Sequence, residues 1–229
     1  MEDYGYVERN YKELMRELEQ LSRGGRPITL VAVTKSGSDE ELLALVRAGA
    51  TDIGENRPQQ LRRRADLIKE AGLSVRLHEI GNLQKNKVRL IAPDVSLIHS
   101  VDSLALAEQI DKRAAAEGRV IPILVEVNSA DEQAKGGVSP DECEPLIESI
   151  SSLDHLRVAG LMTMGPVVDD PEQIRPYFAL VKRLFDKMNA RFRFPDGGVL
   201  SMGMSDSYRV AIEEGATLVR VGRRLFVKD

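Results

Sequence analysis

The chain has 229 residues, 42% hydrophobic and 30% charged, with 32 basic against 36 acidic side chains and a formal net charge of -4. That balance argues against a disordered chain, a membrane protein and broad nucleic-acid binding by charge. The lone cysteine, Cys143 in PDECEPLI, rules out an intramolecular disulfide, reads as an incidental thiol at the start of a surface helix, and favours a reducing compartment.

The first residues, MEDYGYVERNYKELMREL, are charged and periodic, so a helix is predicted at about Val7–Leu21 rather than a signal peptide. No stretch approaches the roughly 20 apolar residues that span a bilayer. A soluble, cytoplasmic protein is expected. ITLVAV at Ile28–Val33 is apolar at nearly every position, as a parallel strand covered on both faces should be. Ser38–Gly49 follows as a helix, with Ser38 as N-cap, acidic residues in its first turn and Gly49 at its end. Asp52–Gly54 is a short second strand and Gln59–Ala71 a helix. Arg76–Ile80 and Val95–His99 are the third and fourth strands, each followed by a helix, at Asn86–Ile91 and Ser103–Glu117. Val120–Val127 is the fifth strand, although Pro122 inside it cannot donate a ladder bond. Pro140–Ser149, Arg157–Leu161, Pro171–Arg191, Gly198–Met202, Tyr208–Glu214 and Leu218–Val221 continue the alternation of helix and strand.

Eight strands alternating with helices, with no Pro-, Gly- or Ser-rich linker, predict an α/β fold. It is one TIM-type (β/α)8 barrel over residues 1–229, with an additional N-terminal helix that caps or flanks it. A dinucleotide-binding open sheet is disfavoured, because TKSGSDE after the first strand holds a single glycine.

In such a barrel the C-terminal strand ends converge on one mouth. Lys35 stands two residues beyond Val33. Packed among apolar neighbours, a lysine there would be desolvated, which disfavours the charged amine and frees it to attack an aldehyde. The other reading is that the chain has simply reached solvent and Lys35 is a surface residue. Glu55 and Asn56, His78, His99 and Ser100, Asn128, Met162 to Met164 and Ser201 to Asp206 lie at the other strand ends. His78 reads equally well as a hydrogen-bonded core residue, and Glu55 and Asn56 as helix caps. LSMGMSD and VRVGRR are strand-turn-helix segments at the seventh and eighth positions, where barrels often hold phosphate on backbone N–H groups. Gly203 and Gly222 permit close approach, Ser201 adds a hydroxyl and Arg223 a charge. Arg220, apolar on either side, needs a partner for its charge. A phosphate site opposite a strand-end lysine suits either a sugar or aldol substrate handled through a Schiff base or a phosphorylated aldehyde cofactor. For the latter, the ring nitrogen of pyridoxal 5′-phosphate would be such a partner. A guanidinium there disfavours protonation of that nitrogen and weakens the ring as an electron sink.

LVAVTK at 30–35, IGEN at 53–56, HEIGNLQKNKV at 78–88, HSVDS at 99–103, EVNSADEQAKGGV at 126–138, GLMTM at 160–164 and LSMGMSDSYRVAIEEGATLVRVG at 200–222 together resemble the pyridoxal-phosphate homeostasis protein family. These are single-barrel relatives of the alanine racemase N-terminal domain, of fold type III among pyridoxal-phosphate proteins. The resemblance implies that Lys35 holds the cofactor as a Schiff base. It also implies that Ser201, Gly203, Gly222 and the N–H groups around Arg223 hold its phosphate. Arg220 would face the pyridine nitrogen, and Asn56 and His78 would line the ring pocket. The sequence departs from the family at Arg57, at Leu77 and Glu79 where aromatics are frequent, at Arg223 and in the terminal FVKD.

The implied function is cofactor binding in the service of vitamin B6 and amino-acid homeostasis, with pyridoxal-phosphate enzymes as recipients. The implied state is a monomer, with no nucleic-acid or membrane partner. Enzymatic activity stays open. The alternative is an amino-acid racemase or decarboxylase of narrow range, against which stands the lack of a second base opposite Lys35. A third reading, a barrel that only displays a partner-binding surface, has no exposed apolar run to support it.

Overall fold

Strand β1 (Thr29–Val33) is apolar on both faces because one side packs into a barrel interior and the other against a ring of helices. The computed structural model describes residues 4–22, 25–130 and 136–228. The DEQAK portion of the family-like segment and the final Asp229 lie outside the described residues. Along the chain follow α1 (Gly5–Leu21), β1, α2 (Asp39–Arg47), β2 (Asp52–Glu55), α3 (Pro58–Glu70), β3 (Arg76–Glu79), α4 (Val88–Ile91), β4 (Val95–Val101) and α5 (Leu104–Ala116). Then come β5 (Ile121–Glu126), α6 (Pro140–Ile150), β6 (Leu156–Met162), α7 (Arg175–Phe192), β7 (Val199–Ser201), α8 (Tyr208–Glu213) and β8 (Leu218–Val221). The strands form one closed parallel barrel in chain order, sealed where β1 pairs with β8 at Thr29 with Leu218 and Val31 with Arg220. This is the TIM-type fold the alternation predicts.

Side chains alternate across each strand, so every second residue enters the barrel. Val31, Leu97, Leu124, Ala159, Met162 and Leu218 form an inner apolar cluster. The opposite faces join the helices in a larger core that includes Leu30, Ile53, Leu77, Ile98, Phe178 and Phe185. Pro122 stays in β5, near its start, and the β5–β6 register shifts just beyond it between Ile123 and Leu124. Ser38 caps α2 as predicted. Glu41 N donates to its Oγ at 3.2 Å while Ser38 N donates to Glu41 Oε2 at 2.6 Å.

A regular barrel places a helix after β8; among the described residues a short 3-10 turn, Arg223–Leu225, follows it. The vacant position between α8 and α2 is taken by α1, which packs against both. Tyr208 Oη and Arg224 Nη1 donate to Glu17 at 2.5 and 2.8 Å, and Tyr11 Oη to Gly49 O at 3.0 Å. The N-terminal helix thus completes the ring rather than capping an end.

Cys143 corrects another expectation. It is fully buried in α6, not on its surface, and burial pushes the thiol up to about 12, which makes it inert. Among the described residues no helix is long and apolar enough to cross a membrane.

Candidate functional site

Buried polar groups cluster in and around the barrel, among them His99, Glu126, Thr163, Ser201 and Arg220 at or near the ends of their strands. On β8, Arg220 has a relative exposure of 4%. Its Nη1 donates to Ser201 Oγ at 2.6 Å and its Nη2 to the Thr163 carbonyl at 3.1 Å. Among the described residues no carboxylate lies within ion-pairing distance of it. Burial pushes the guanidinium down to about 10, against the pull of Glu126. An arginine so placed is a buried cation with no ion-pair partner among the described residues.

Glu126 ends β5 on the same mouth. Burial, with repulsion from Asp102 on the neighbouring strand end, pushes its carboxyl up to about 7, while Arg220 pulls the other way. Beside it opens a recess lined by Asn128, Ser129, Thr163, Met164 and Gly165. A carboxyl balanced near neutrality can both give and take a proton.

Lys35 lies in the turn that follows β1, and it is exposed. The apolar packing expected for its stem is therefore absent. Thr34 to Gly37 form a tight turn, closed by Gly37 N on Thr34 O at 3.0 Å, that lifts the lysine to the rim. The turn is held from outside by Arg64 of α3, whose Nη2 donates to Gly37 O at 2.6 Å. The lysine's charge bears on Glu55 at the end of β2. Asn56 sits exposed on the adjoining rim.

Across the mouth, the turns after β7 and β8 face each other. Gly203 has φ +91°, and a Cβ there would fall 2.5 Å from Ala211 Cβ, so α8 can seat on this turn only over glycine. A Cβ at Gly222 would lie 2.8 Å from Val33 O, so β8 and β1 close on each other there. Arg223 and Asp206 form an ion pair that ties the two turns together at the surface. Among the described residues, the backbone N–H groups of Ser205, Asp206, Arg223 and Arg224 meet no protein acceptor. The Ser205 hydroxyl is half-buried on the same turn and has no hydrogen-bond partner among the described residues. Such a set of bare donors on two facing turns suits an anion.

Two predicted residues lie deeper than the mouth. Ser201 is fully buried, with its hydroxyl held between Arg220 and His99 Nδ1 at 3.0 Å. His78 is buried in the barrel interior, with Nδ1 at 2.9 Å from His99 Nε2 and Nε2 at 2.9 Å from Asp52 Oδ1. The structure thus brings Lys35, Asn56, Gly203, Arg220, Gly222 and Arg223 to one rim and leaves His78 a layer below it. Asp52 and Glu126 were not named as candidates by sequence, and His99 and Thr163 only as residues at strand ends. The last three stand at strand ends, a usable signal, whereas Asp52 opens its strand and gives none.

The family described as alanine racemase, N-terminal domain, matches residues 3–228. A pyridoxal phosphate homeostasis protein of Aquifex aeolicus is 37% identical over 222 residues, covering 96% of this chain and 95% of the relative. A solved protein of Bifidobacterium adolescentis superposes with a TM-score of 0.88 at 33% identity, covering 99% of this chain and 97% of that one. PipY of Synechococcus elongatus, solved with pyridoxal phosphate bound, gives 0.80 at 28% identity, covering 93% of this chain and 100% of PipY.

Proposed function

This chain belongs to the alanine racemase N-terminal domain family, among the pyridoxal phosphate homeostasis proteins, and from that premise we propose that it binds pyridoxal 5′-phosphate, carries it on Lys35 as a Schiff base and serves vitamin B6 and amino-acid homeostasis. The observation that carries this reading is Arg220, a buried guanidinium with no carboxylate partner among the described residues, on the mouth that Lys35 rims. An unprotonated ring nitrogen accepts a hydrogen bond from arginine and brings no competing positive charge. When bound, the cofactor supplies an aldehyde that condenses with amines and a ring that withdraws electrons.

The chain's own groups divide the work. Lys35 offers the amine at the rim. Gly203, Ser205, Gly222 and the N–H groups around Arg223 offer donors to the phosphate. Ser201 holds Arg220 from beneath, and Asn56 borders the ring's edge. Arg223 contributes its backbone, since its side chain is spent on Asp206. We further propose that the protein acts as a cytoplasmic monomer that passes the cofactor to pyridoxal-phosphate enzymes.

Titration with pyridoxal phosphate, followed by the visible band of the lysine adduct, tests the site. Free pyridoxal, which lacks the phosphate, should bind on the order of 100-fold more weakly, because charge-assisted hydrogen bonds to an anion are lost. Ser205→Ala should weaken the phosphorylated form about tenfold, the cost of one such bond, and leave pyridoxal unaffected. Equal binding of the two compounds would show that the facing turns do not hold the phosphate.

Glu126 favours a second reading, an amino-acid racemase or decarboxylase of narrow range. The missing second acid/base group has a candidate in this carboxyl, raised to about 7 at the mouth. Exchange of the α-proton for deuterium, screened over amino acids, decides it. Exchange that Glu126→Gln removes establishes the enzyme, whereas no exchange above that of free cofactor rejects it.

A further inference from the structure

A row of buried side chains crosses the inside of the barrel from its foot to its mouth. Arg76, exposed at the start of β3, donates Nε and Nη2 to Asp52 at 2.7 and 2.6 Å. Asp52 then meets His78, His78 meets His99, His99 meets Ser201, and Ser201 meets Arg220, at separations of 2.9, 2.9, 3.0 and 2.6 Å. Asp52, His78, His99, Ser201 and Arg220 are all buried. The resemblance gave His78 a place in the ring pocket and His99 none.

The donor and acceptor capacities fix how protons can be arranged along this row. Asp52 opposes its burial with hydrogen bonds from His78, Arg76 and Thr51, which hold the carboxyl well below the usual range. It is therefore an acceptor only, and His78 Nε2 must carry a proton. Arg220 can only donate, so Ser201 Oγ accepts from it. Between these two ends, only two arrangements satisfy every atom while His99 stays neutral. In the first, His78 is neutral. His99 Nε2–H then donates to His78 Nδ1, and the Ser201 hydroxyl donates to His99 Nδ1. In the second, His78 is an imidazolium whose Nδ1–H donates to His99 Nε2. His99 Nδ1–H then donates to Ser201 Oγ. The Ser201 proton, displaced from that bond, must face the mouth beside Arg220. Burial, with His78 and Arg220 close by, holds His99 well below its ordinary value, in keeping with its neutrality in both.

We propose that His99 is a tautomer relay, a positioning residue that ties the protonation of His78 in the barrel interior to the direction of the Ser201 hydroxyl beneath the mouth. Passage between the two arrangements is balanced. The Ser201 proton moves to His99 Nδ1, the His99 Nε2 proton moves to His78 Nδ1, and a proton from water in the mouth restores the hydroxyl. The net gain is one positive charge on His78, beside the Asp52 carboxylate. The charged groups that face the imidazoles are Asp52 on β2, Arg76 on β3 and Arg220 on β8, with Glu126 on β5 acting through Arg220. In its second state the relay presents an O–H donor, next to a guanidinium, to an acceptor atom on a bound ring. Only that last consequence rests on the cofactor reading above. The relay itself is a property of the protein alone.

The chain contains three histidines, so ring-nitrogen NMR of histidine-labelled protein without ligand can resolve them, with the half-exposed His155 as an internal reference. At high pH His99 should show a protonated Nε2 and a bare Nδ1. As the pH falls and His78 takes up its second proton, the two His99 signals should exchange places with no net gain of charge. A His99 that keeps one tautomer throughout, or that becomes charged together with His78, overturns the proposal. In protein loaded with pyridoxal phosphate, the visible band should show a pH step that tracks His78 and is lost in His99→Phe. A step that persists in His99→Phe also overturns it. Failure of the cofactor to bind would defeat the earlier reading and leave the tautomer result standing.

Discussion

Lys35→Ala is expected to abolish covalent retention of pyridoxal phosphate. After borohydride reduction and peptide mapping, wild-type protein should carry the adduct on the peptide containing Lys35, and the variant should carry none there. The visible band should vanish with it. Because the turns after β7 and β8 are untouched, reversible binding should persist, weakened on the order of 100-fold, as loss of a positioned covalent contact implies. Exposure of Lys35 sharpens this expectation. An exposed amine gains nothing from burial, so its preference over the other exposed lysines must come from proximity, with the aldehyde held against it by the phosphate across the mouth. Free pyridoxal should accordingly label lysines with little selectivity. An adduct that maps elsewhere in the wild type, or a band unchanged in Lys35→Ala, removes Lys35 from the site.

The barrel was legible because its strands repeat one pattern, short runs rich in valine and isoleucine between longer amphipathic stretches, and closure follows from eight such runs. The rim was legible for the same reason, since residues just beyond those runs must share one end. What escaped was whatever depends on neighbours far along the chain. The exposure of Lys35 is set by a turn that Arg64 clamps from α3, 27 residues beyond Gly37. The depth of His78 is set by register. It pairs beside Gly54 on β2 while its ring reaches back to Asp52, and nothing in RLHEI states which end of the barrel its ring faces. The role of α1 was open because a helix at the start of the chain can pack almost anywhere. Its packing against α2 and α8 makes its place definite. Arg223, whose side chain read as a charge for the phosphate, pairs with Asp206 on the facing turn.

Glu79 is the departure with the largest expected energetic consequence. It has a relative exposure of 0% and lies in register with Glu55 on the neighbouring strand. Burial pushes its carboxyl up to about 8; a hydrogen bond from Gly81 N opposes this, and the Glu55 charge adds to it. The Oε2 atoms of both glutamates lack a partner among the described residues. The folded protein therefore holds a proton on Glu79 that the unfolded chain, with its ordinary glutamate, releases near pH 4.5. Between pH 4.5 and about 8 the native state binds more protons than the unfolded one, so stability must fall as pH rises through that window. Glu79→Gln keeps the shape and the acceptor for Gly81 N and removes the charge. It should match wild type below the window and become more stable above it, by roughly 3–5 kcal/mol at the plateau if the whole shift is realised. Part of the slope should survive in the variant, since burial also raises Glu55. Urea denaturation at a series of pH values measures the difference directly. A variant less stable than wild type at every pH, or a difference that does not grow with pH, would mean that Glu79 keeps its charge in the fold and has a counter-charge that compensates it.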